Sequence, residues 1–225
     1  MKKMFFIIVF TSLVGFPLIA GTFGIGGKFG VNNAWGAGTG WPDLLENAFD
    51  SDTQTLMGTD FCGGLYAAYE FNEYLALQGE FLVGHHAWEA QGVESGDDVL
   101  RSFYYFTLEV PILIKGMLPA WKGSIFAVAG PVLYFPMFNL SIGEERNGVE
   151  QPNSEFDIGT SFHVGVTAGL GYEFHLGNWN LGLEGRYART FASLDVALVP
   201  KYFNDIDLNL FVFHLFAGYR FGGKD

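Results

Sequence analysis

Serine, histidine and carboxylate side chains occur in arrangements whose residue types could support hydrolysis or metal binding. Ser161 and His163 stand two residues apart, so on an extended strand they share a face but lie about 7 Å from each other. Acyl-ester hydrolysis requires a serine, a histidine and an acid within hydrogen-bond reach, so direct contact here would need a bend. His85 and His86 are adjacent and would point to opposite faces of a strand, which does not favour a shared metal ion.

Three glutamates, Glu80, Glu109 and Glu184, could supply paired carboxylates for general acid–base catalysis. Each lies within a segment of alternating residues, so its chemistry depends on the strand that carries it. The single Cys62 allows no internal disulfide and no cysteine-based metal site. We predict no catalytic residue, no metal, no cofactor and a protein that is not an enzyme.

The composition of the 225-residue chain narrows the class of protein. Glycine contributes 31 residues, aromatic residues 17% and charged residues only 16%, against a charged share of about 25% in average soluble proteins. The formal net charge of −12 argues against nucleic-acid binding, because counterion release needs clustered Lys and Arg. Beyond residue 20 no run of 18 apolar residues occurs, which excludes a helical membrane protein. An apolar chain without such runs is typical of a transmembrane β-barrel.

The first residues have the pattern of a secretory signal peptide. Lys2 and Lys3 form a basic start, residues 4–19 are apolar, and Ala20 and Gly21 are small. We predict a signal peptide over 1–20 and one barrel domain over 21–225, located in the outer membrane of a bacterium.

Eight segments after residue 20 alternate apolar residues with polar or small ones, as barrel strands do. Phe162 to Phe174 is the cleanest case, with apolar residues opposed by glycines, His163 and Glu173. An even number of antiparallel strands can close and leave no unpaired edge in lipid. The predicted fold is an eight-stranded, antiparallel, up-and-down transmembrane β-barrel with strands at 22–32, 60–71, 74–84, 102–115, 124–135, 161–176, 179–191 and 207–221.

The predicted connections alternate in length. Short turns follow the second, fourth and sixth strands, and longer loops are predicted near 33–58, 85–100, 136–160 and 192–206. Short turns are typical of the periplasmic rim and long loops of the extracellular side. Aromatic residues near the short turns would form the periplasmic girdle of the barrel.

Several of these segments resemble strands of the porin-like outer-membrane β-barrel family of the PorT type. The similar stretches are LEVPILIK at 108–115, AGPVLY at 129–134, AGLGYEF at 168–174, LEGRY at 183–187 and FAGYRF at 216–221. The resemblance implies a small eight-stranded outer-membrane barrel whose last strand, with Tyr219 and Phe221, is read by the barrel-assembly machinery. Residues 222–225 extend past Phe221, whereas the usual signal ends on the aromatic residue.

Alternation also predicts which charged side chains face the barrel interior. A charge buried in a narrow lumen needs a partner, so we expect a network in which Lys28, Glu80, Glu109 and Glu184 share a similar depth. The complete predicted network comprises Lys28, Glu80, Glu109, Glu184, Arg186, Arg220 and His214. Its function could be to close the lumen, or to line a selective narrow pore.

The predicted loops are acidic and contain three tryptophans, Trp35, Trp41 and Trp88, as candidates for contact with a partner. We expect a monomer that contacts outer-membrane lipid, periplasmic chaperones and the assembly machinery, with a host or matrix ligand at the loops and no nucleic acid. The first functional prediction is a structural, surface-exposed barrel with a closed lumen. The alternative is a narrow channel or transporter for small solutes, including hydrophobic ones, and a lipid-modifying enzyme is the third prediction.

Overall fold

The computed structural model describes residues 21–37, 51–137, 140–156, 163–191 and 207–222. Every regular element in these ranges is a β-strand, and none is a helix that could cross a membrane. The strands are β1 Thr22–Ala37, β2 Ser51–Asn72, β3 Leu75–Glu94, β4 Asp97–Ala120, β5 Gly123–Pro136, β6 Leu140–Arg146, β7 Val149–Phe156, β8 His163–Leu176, β9 Trp179–Phe191 and β10 Asp207–Phe221.

Eight of the ten strands form a closed ring. Antiparallel pairing runs from β3 through β2, β1, β10, β9, β8 and β5 to β4, and a further pairing of β3 with β4 closes the circle. The first and last strands meet over their full length, from Phe23 opposite Phe221 to Ala37 opposite Asp207. Closure satisfies the backbone N–H and C=O groups of each ring strand on both sides, as a bilayer requires. The structure confirms the predicted eight-stranded barrel.

The outer wall of the ring is apolar, and the inner wall carries the polar residues. Phe29, Leu65, Ile114, Leu170 and Leu215 are each more than 60% exposed on the outside. Their sequence neighbours turn inward, and buried Lys28, Lys115 and His214 are among them. A water-soluble barrel would have the reverse arrangement, so the outer surface fits lipid.

The short turns join strands where the sequence predicts them. The turn between β2 and β3 is formed by Glu73–Tyr74. The turn between β4 and β5 is formed by Trp121–Lys122, and the turn between β8 and β9 by Gly177–Asn178. Gly177 has a φ of 62°, which glycine adopts without steric cost. All three turns lie at the rim where Thr22 and Phe221 lie, which is the periplasmic rim of a bacterial barrel.

At the opposite end of the barrel, the structure has paired strands in regions that were predicted to be loops. Residues 85–100 are not an irregular loop, because β3 and β4 continue as paired strands to the Ser95–Gly96 turn. Residues 140–156 form the hairpin β6–β7, and β6 adds to β4 from Val99 opposite Arg146 to Tyr104 opposite Ser141. β2 also begins at Ser51, earlier than the predicted residue 60.

These strands form an extension beyond the membrane. Ten residues separate Leu75 at the periplasmic rim from His85, which is about 25 Å along the barrel axis at about 3.3 Å per residue and a tilt of 35–45°. That distance spans the apolar band. Residues of β3 and β4 beyond it, together with the β6–β7 hairpin, therefore project from the extracellular side.

Candidate functional site: the barrel lumen

Four buried charges in the lumen form a closed ring of alternating sign. The Lys28 ammonium donates to Glu80 and to Glu184, with Nζ–Oε distances of 2.7 Å in both cases. Arg186 donates to Glu80 over 2.6 and 2.7 Å and also to Glu184. Gln78 adds a further hydrogen bond to Glu80. All four charged side chains are at most 3% exposed, so each is balanced by opposite charge within the lumen.

This ring of charges crosses the whole barrel. Glu80 lies on β3 and Arg186 on β9, which are four strands apart in either direction around the eight-stranded ring. Their direct hydrogen bonds therefore connect opposite walls. Lys28 on β1 contacts both of these strands. The resulting arrangement, the charge ring, occupies the middle of the lumen.

An aromatic layer lies next to the charge ring on its periplasmic side. Phe216 contacts Tyr66 and Phe126 edge-on, with ring centroids 6.0 and 5.9 Å apart. Phe216 also lies between two ammonium groups, with Lys28 Nζ 5.4 Å and Lys115 Nζ 5.8 Å from its ring. Buried Met117 and Leu113 belong to the same cluster.

Glycines on the inner wall provide the space for these rings. A Cβ atom at Gly171 would lie 2.3 Å from Phe126, and one at Gly182 would lie 2.3 Å from Phe216. A Cβ atom at Gly169 would lie 2.6 Å from Arg186. The alternation of glycine with apolar residues in β8 therefore leaves room for bulky side chains from other strands.

A second ion cluster lies below the aromatic layer. Lys115 Nζ donates to Glu173 over 2.6 Å, and His175 Nε2 lies 3.4 Å from the other oxygen of Glu173. Lys115 is not among the residues predicted for the lumen network. The alternation of β4 contained the signal, because Glu109, Leu113 and Lys115 have the same parity and all face inward.

The upper lumen holds two smaller polar contacts. His86 Nε2 lies 2.9 Å from Thr107 and 3.1 Å from Glu109, and Cys62 Sγ lies 3.4 Å from His214 Nε2. His85, in contrast, contacts Asp60 and stacks on Phe61, whose side chain is exposed on the outer wall. The two adjacent histidines point to opposite faces as expected, and no group of three metal-ligating side chains occurs among the residues described.

The predicted lumen network is thus brought together only in part. Lys28, Glu80, Glu184 and Arg186 meet in the charge ring, while Glu109 and His214 lie in the upper contacts. The strand register accounts for the higher position of Glu109. This residue lies opposite Leu82 on β3, and Leu82 is the next inward-facing residue above Glu80. Arg220 faces inward but belongs to neither group, because it lies three inward steps below His214 on β10. At the periplasmic rim its Nη1 lies 4.0 Å from Glu70 Oε2.

Other candidates lie partly or wholly outside the described residues. Ser161 and Trp41 belong to ranges that the structure does not describe, and so does the predicted signal peptide. Trp35 lies on β1 and Trp88 on β3, but their side chains are not described. Tyr219 and Phe221 end β10, where their rings lie 5.0 Å apart at the periplasmic rim.

Comparison with known proteins agrees with this architecture. Residues 15–196 match the family model described as "Outer membrane protein beta-barrel domain". Among curated proteins, none matches this chain.

Solved structures with a similar fold include the outer membrane protein OprG from Pseudomonas aeruginosa. At 14% identity the match covers 91% of this chain and 97% of OprG, with a TM-score of 0.50. Neisserial surface protein A also matches, at 11% identity over 88% of this chain and 97% of that chain, with a TM-score of 0.44. Ail of Yersinia pestis matches at 15% identity over 88% and 99%, with a TM-score of 0.40.

Proposed function

Since the chain belongs to the outer membrane protein beta-barrel domain family and forms a bacterial outer-membrane barrel, we propose that it is a structural, surface-exposed barrel whose lumen is closed. Its activity would reside in its extracellular strands and loops rather than in transport through the lumen or in catalysis. The narrower resemblance to PorT-type barrels stays a prediction.

The observation that carries this proposal is the contact between opposite walls. Arg186 on β9 bonds directly to Glu80 on β3, and the aromatic layer of Tyr66, Phe126 and Phe216 lies beneath them. A solute moving along the axis would have to separate paired buried charges and then displace packed rings. Both steps are costly in a low-dielectric interior.

Planar-bilayer recordings test the closed lumen. The refolded chain is first checked for a heat-dependent shift in gel mobility, and single-channel current is then measured. We expect no discrete openings from the unmodified barrel. Stable openings would overturn the proposal and favour the narrow channel or transporter.

Matched double variants test which residues close the lumen. Arg186→Ala/Phe216→Ala removes one member of the charge ring and one of the aromatic layer, and should give discrete openings. Arg189→Ala/Phe213→Ala changes the same residue types on the same two strands, but on the outer wall, where both residues are exposed. This control should stay silent. A folded Arg186→Ala/Phe216→Ala barrel without channel openings would show that the charge ring and the aromatic layer do not close the lumen.

The partners belong to the same proposal. We expect the barrel to contact outer-membrane lipid, to be inserted by the assembly machinery after transfer by periplasmic chaperones, and to bind a host or matrix ligand at Trp35, Trp41 and Trp88. Replacing the three tryptophans by alanine should abolish attachment of expressing cells to matrix. Unchanged attachment would exclude these residues as the contact.

A further inference from the structure

The β6–β7 hairpin ends in an exposed Asn–Gly turn on the extracellular side. Asn147 and Gly148 join Arg146 to Val149, and their φ angles of 48° and 79° both lie in the left-handed region. A two-residue type I′ turn requires a positive φ at both positions, and asparagine followed by glycine is its preferred pair. The turn geometry therefore explains these two residue types, but it does not explain the contacts that Asn147 makes.

Asn147 connects this turn to the neighbouring turn between β3 and β4. Its backbone N–H donates to the Asp98 carbonyl over 2.8 Å, in register with the ladder that pairs Val99 with Arg146. In return, the Asp98 N–H donates to the side-chain oxygen Oδ1 of Asn147 over 3.0 Å. This oxygen takes the place that a backbone carbonyl has in an ordinary antiparallel pair. Asn147 Nδ2 also donates to Asp97 Oδ1 over 2.7 Å. We call these three hydrogen bonds the tip contact.

The same pair of residues is chemically labile. Asparagine is thermolabile, because the backbone nitrogen of the following residue can attack the carbon of its side-chain amide. A following glycine has no side chain to hinder this attack, and a Cβ atom at Gly148 would have its nearest neighbour, Glu145 Oε1, 4.0 Å away. The Gly148 nitrogen lies outside the ladder, since Arg146 pairs with Val149 across the turn. The sequence contains no other Asn–Gly pair.

We propose that Asn147 is a deamidation site and that the tip contact controls the reaction. The Gly148 nitrogen attacks Cγ of Asn147, the Cγ–Nδ2 bond breaks, and the amide leaves as ammonia with the proton of the Gly148 N–H. Water then opens the resulting cyclic imide at either carbonyl, which gives aspartate or isoaspartate. The attack requires the Asn147 amide to leave Asp97 and Asp98, so it proceeds while the tip contact is open.

The product of the reaction cannot re-form the tip contact. Aspartate has no Nδ2 donor and sets a carboxylate against that of Asp97, and like charges directly opposite each other are destabilising. Isoaspartate adds one carbon atom to the backbone, which alters the two-residue turn that fixes the hairpin register. Deamidation would therefore detach the tip of the hairpin permanently. This inference depends on the hairpin alone and not on the closed lumen or on a partner at the loops.

Hydrolysis in H₂¹⁸O detects the reaction in the folded chain. The barrel in lipid vesicles is incubated in mildly alkaline buffer made with H₂¹⁸O, and the labelled residues are located by peptide mass spectrometry. Asn147 should gain ¹⁸O, whereas Asn153, which is exposed on β7 and precedes Ser154, should gain far less. No label at Asn147, over a period in which the urea-unfolded chain is labelled there, would refute the proposal.

Two neighbouring aspartates provide matched variants for the tip contact. Asp97→Ala removes the acceptor of Asn147 Nδ2 and should speed up labelling several-fold, because the tip contact is then open for more of the time. Asp98→Ala removes the same charge but keeps the backbone groups that bind Asn147, so labelling should proceed as in the unmodified barrel. Equal rates in the two variants would show that the tip contact does not control the reaction.

A substitution that mimics the product tests the structural consequence. Asn147→Asp should increase hydrogen exchange of the Asp98 amide at least several-fold, because this N–H is no longer held in the tip contact. Asn153→Asp adds the same charge at an exposed position of β7 and should leave that exchange unchanged. Equally slow exchange at Asp98 in folded Asn147→Asp would contradict the detachment of the tip, whatever label Asn147 acquires.

Discussion

The charge ring depends on each of its four side chains, because every cation contacts both anions. Lys28 and Arg186 each bond to Glu80 and Glu184, so the four charges cancel within the low-dielectric lumen. Removing one partner of a buried pair leaves an uncompensated charge, which costs about 3–5 kcal/mol, whereas removing a balanced pair costs much less. The effect of these side chains on the free energy of unfolding therefore has to be assigned to ion pairs and not to single residues.

Lys28→Met tests this pairing. The substitution leaves two buried carboxylates with one guanidinium, and we expect the free energy of unfolding to fall by about 3–5 kcal/mol. Lys28→Met/Glu184→Gln restores electroneutrality and should be more stable than Lys28→Met alone. Urea unfolding of the barrel in lipid vesicles measures both, with exposed Lys122→Met as the control. A double variant less stable than the single one would show that the charges are not coupled.

At the scale of the element, alternation predicts the ring strands well and their extracellular ends poorly. The inward and outward parity of β4, β5, β8 and β9 agrees with the sequence, since a lipid-facing wall forces a strict period of two. The extensions beyond the membrane face water on their outer side, so the apolar signal fades and acidic residues there resemble a loop. Two turn signals were nevertheless present: Ser95–Gly96 and Asn147–Gly148 have positive φ at both residues, as a type I′ hairpin turn requires.

The level at which a side chain lies along the barrel axis is harder to predict than whether it faces inward or outward. Glu109 was assigned to the correct wall, but the strand register places it at a higher level than Glu80, opposite Leu82. Register depends on barrel closure and strand stagger, which local alternation does not encode. The contact across the barrel between Glu80 and Arg186 follows from that closure.

The β6–β7 hairpin is held to β3 and β4 by a group of four charges outside the membrane. Arg101 contacts Glu94 and Glu144, each over 3.0 Å, and Arg146 contacts the same two carboxylates. Partial burial raises the pKa of Glu144, but hydrogen bonds from Arg146 and Arg101 outweigh it and hold that pKa below its usual 4.5. The ionised form of Glu144 is therefore stabilised when the hairpin is paired with β4, relative to a hairpin that has detached from it.

This lowered pKa predicts that acid loosens the hairpin. A group whose folded pKa is depressed contributes its stability above its usual pKa and loses it as the pH falls through the folded value. Amide hydrogen exchange in β6 and β7, corrected for intrinsic rates, should be slow at pH 7 and faster below about pH 4. Glu144→Gln should reduce that dependence, and Glu150→Gln, exposed on β7, should preserve it. An identical pH profile in Glu144→Gln would show that the carboxylate does not hold the hairpin.

At the scale of the whole molecule, the arrangement of polarity is the reverse of a water-soluble barrel. Leu170 is 69% exposed near the middle of β8, and Leu176 is 53% exposed at its periplasmic end. If the barrel were surrounded by water, Leu170 and Leu176 would both tolerate replacement by a charged residue, because both are well exposed. In a bilayer they differ, because Leu170 lies about 15 Å above the rim, near the midplane of an apolar band about 25 Å tall.

Arginine substitutions at these two positions therefore report the membrane directly. Leu170→Arg should lower the free energy of unfolding in lipid vesicles by about 2–4 kcal/mol, and Leu176→Arg by about 0–1 kcal/mol, since the cost of a lipid-facing cation falls toward the interface. The same pair in a mild detergent should differ less, because a micelle deforms around the guanidinium more readily than a bilayer does. Equal losses at both positions in vesicles would place the midplane elsewhere on β8 and require a different tilt or depth for the barrel.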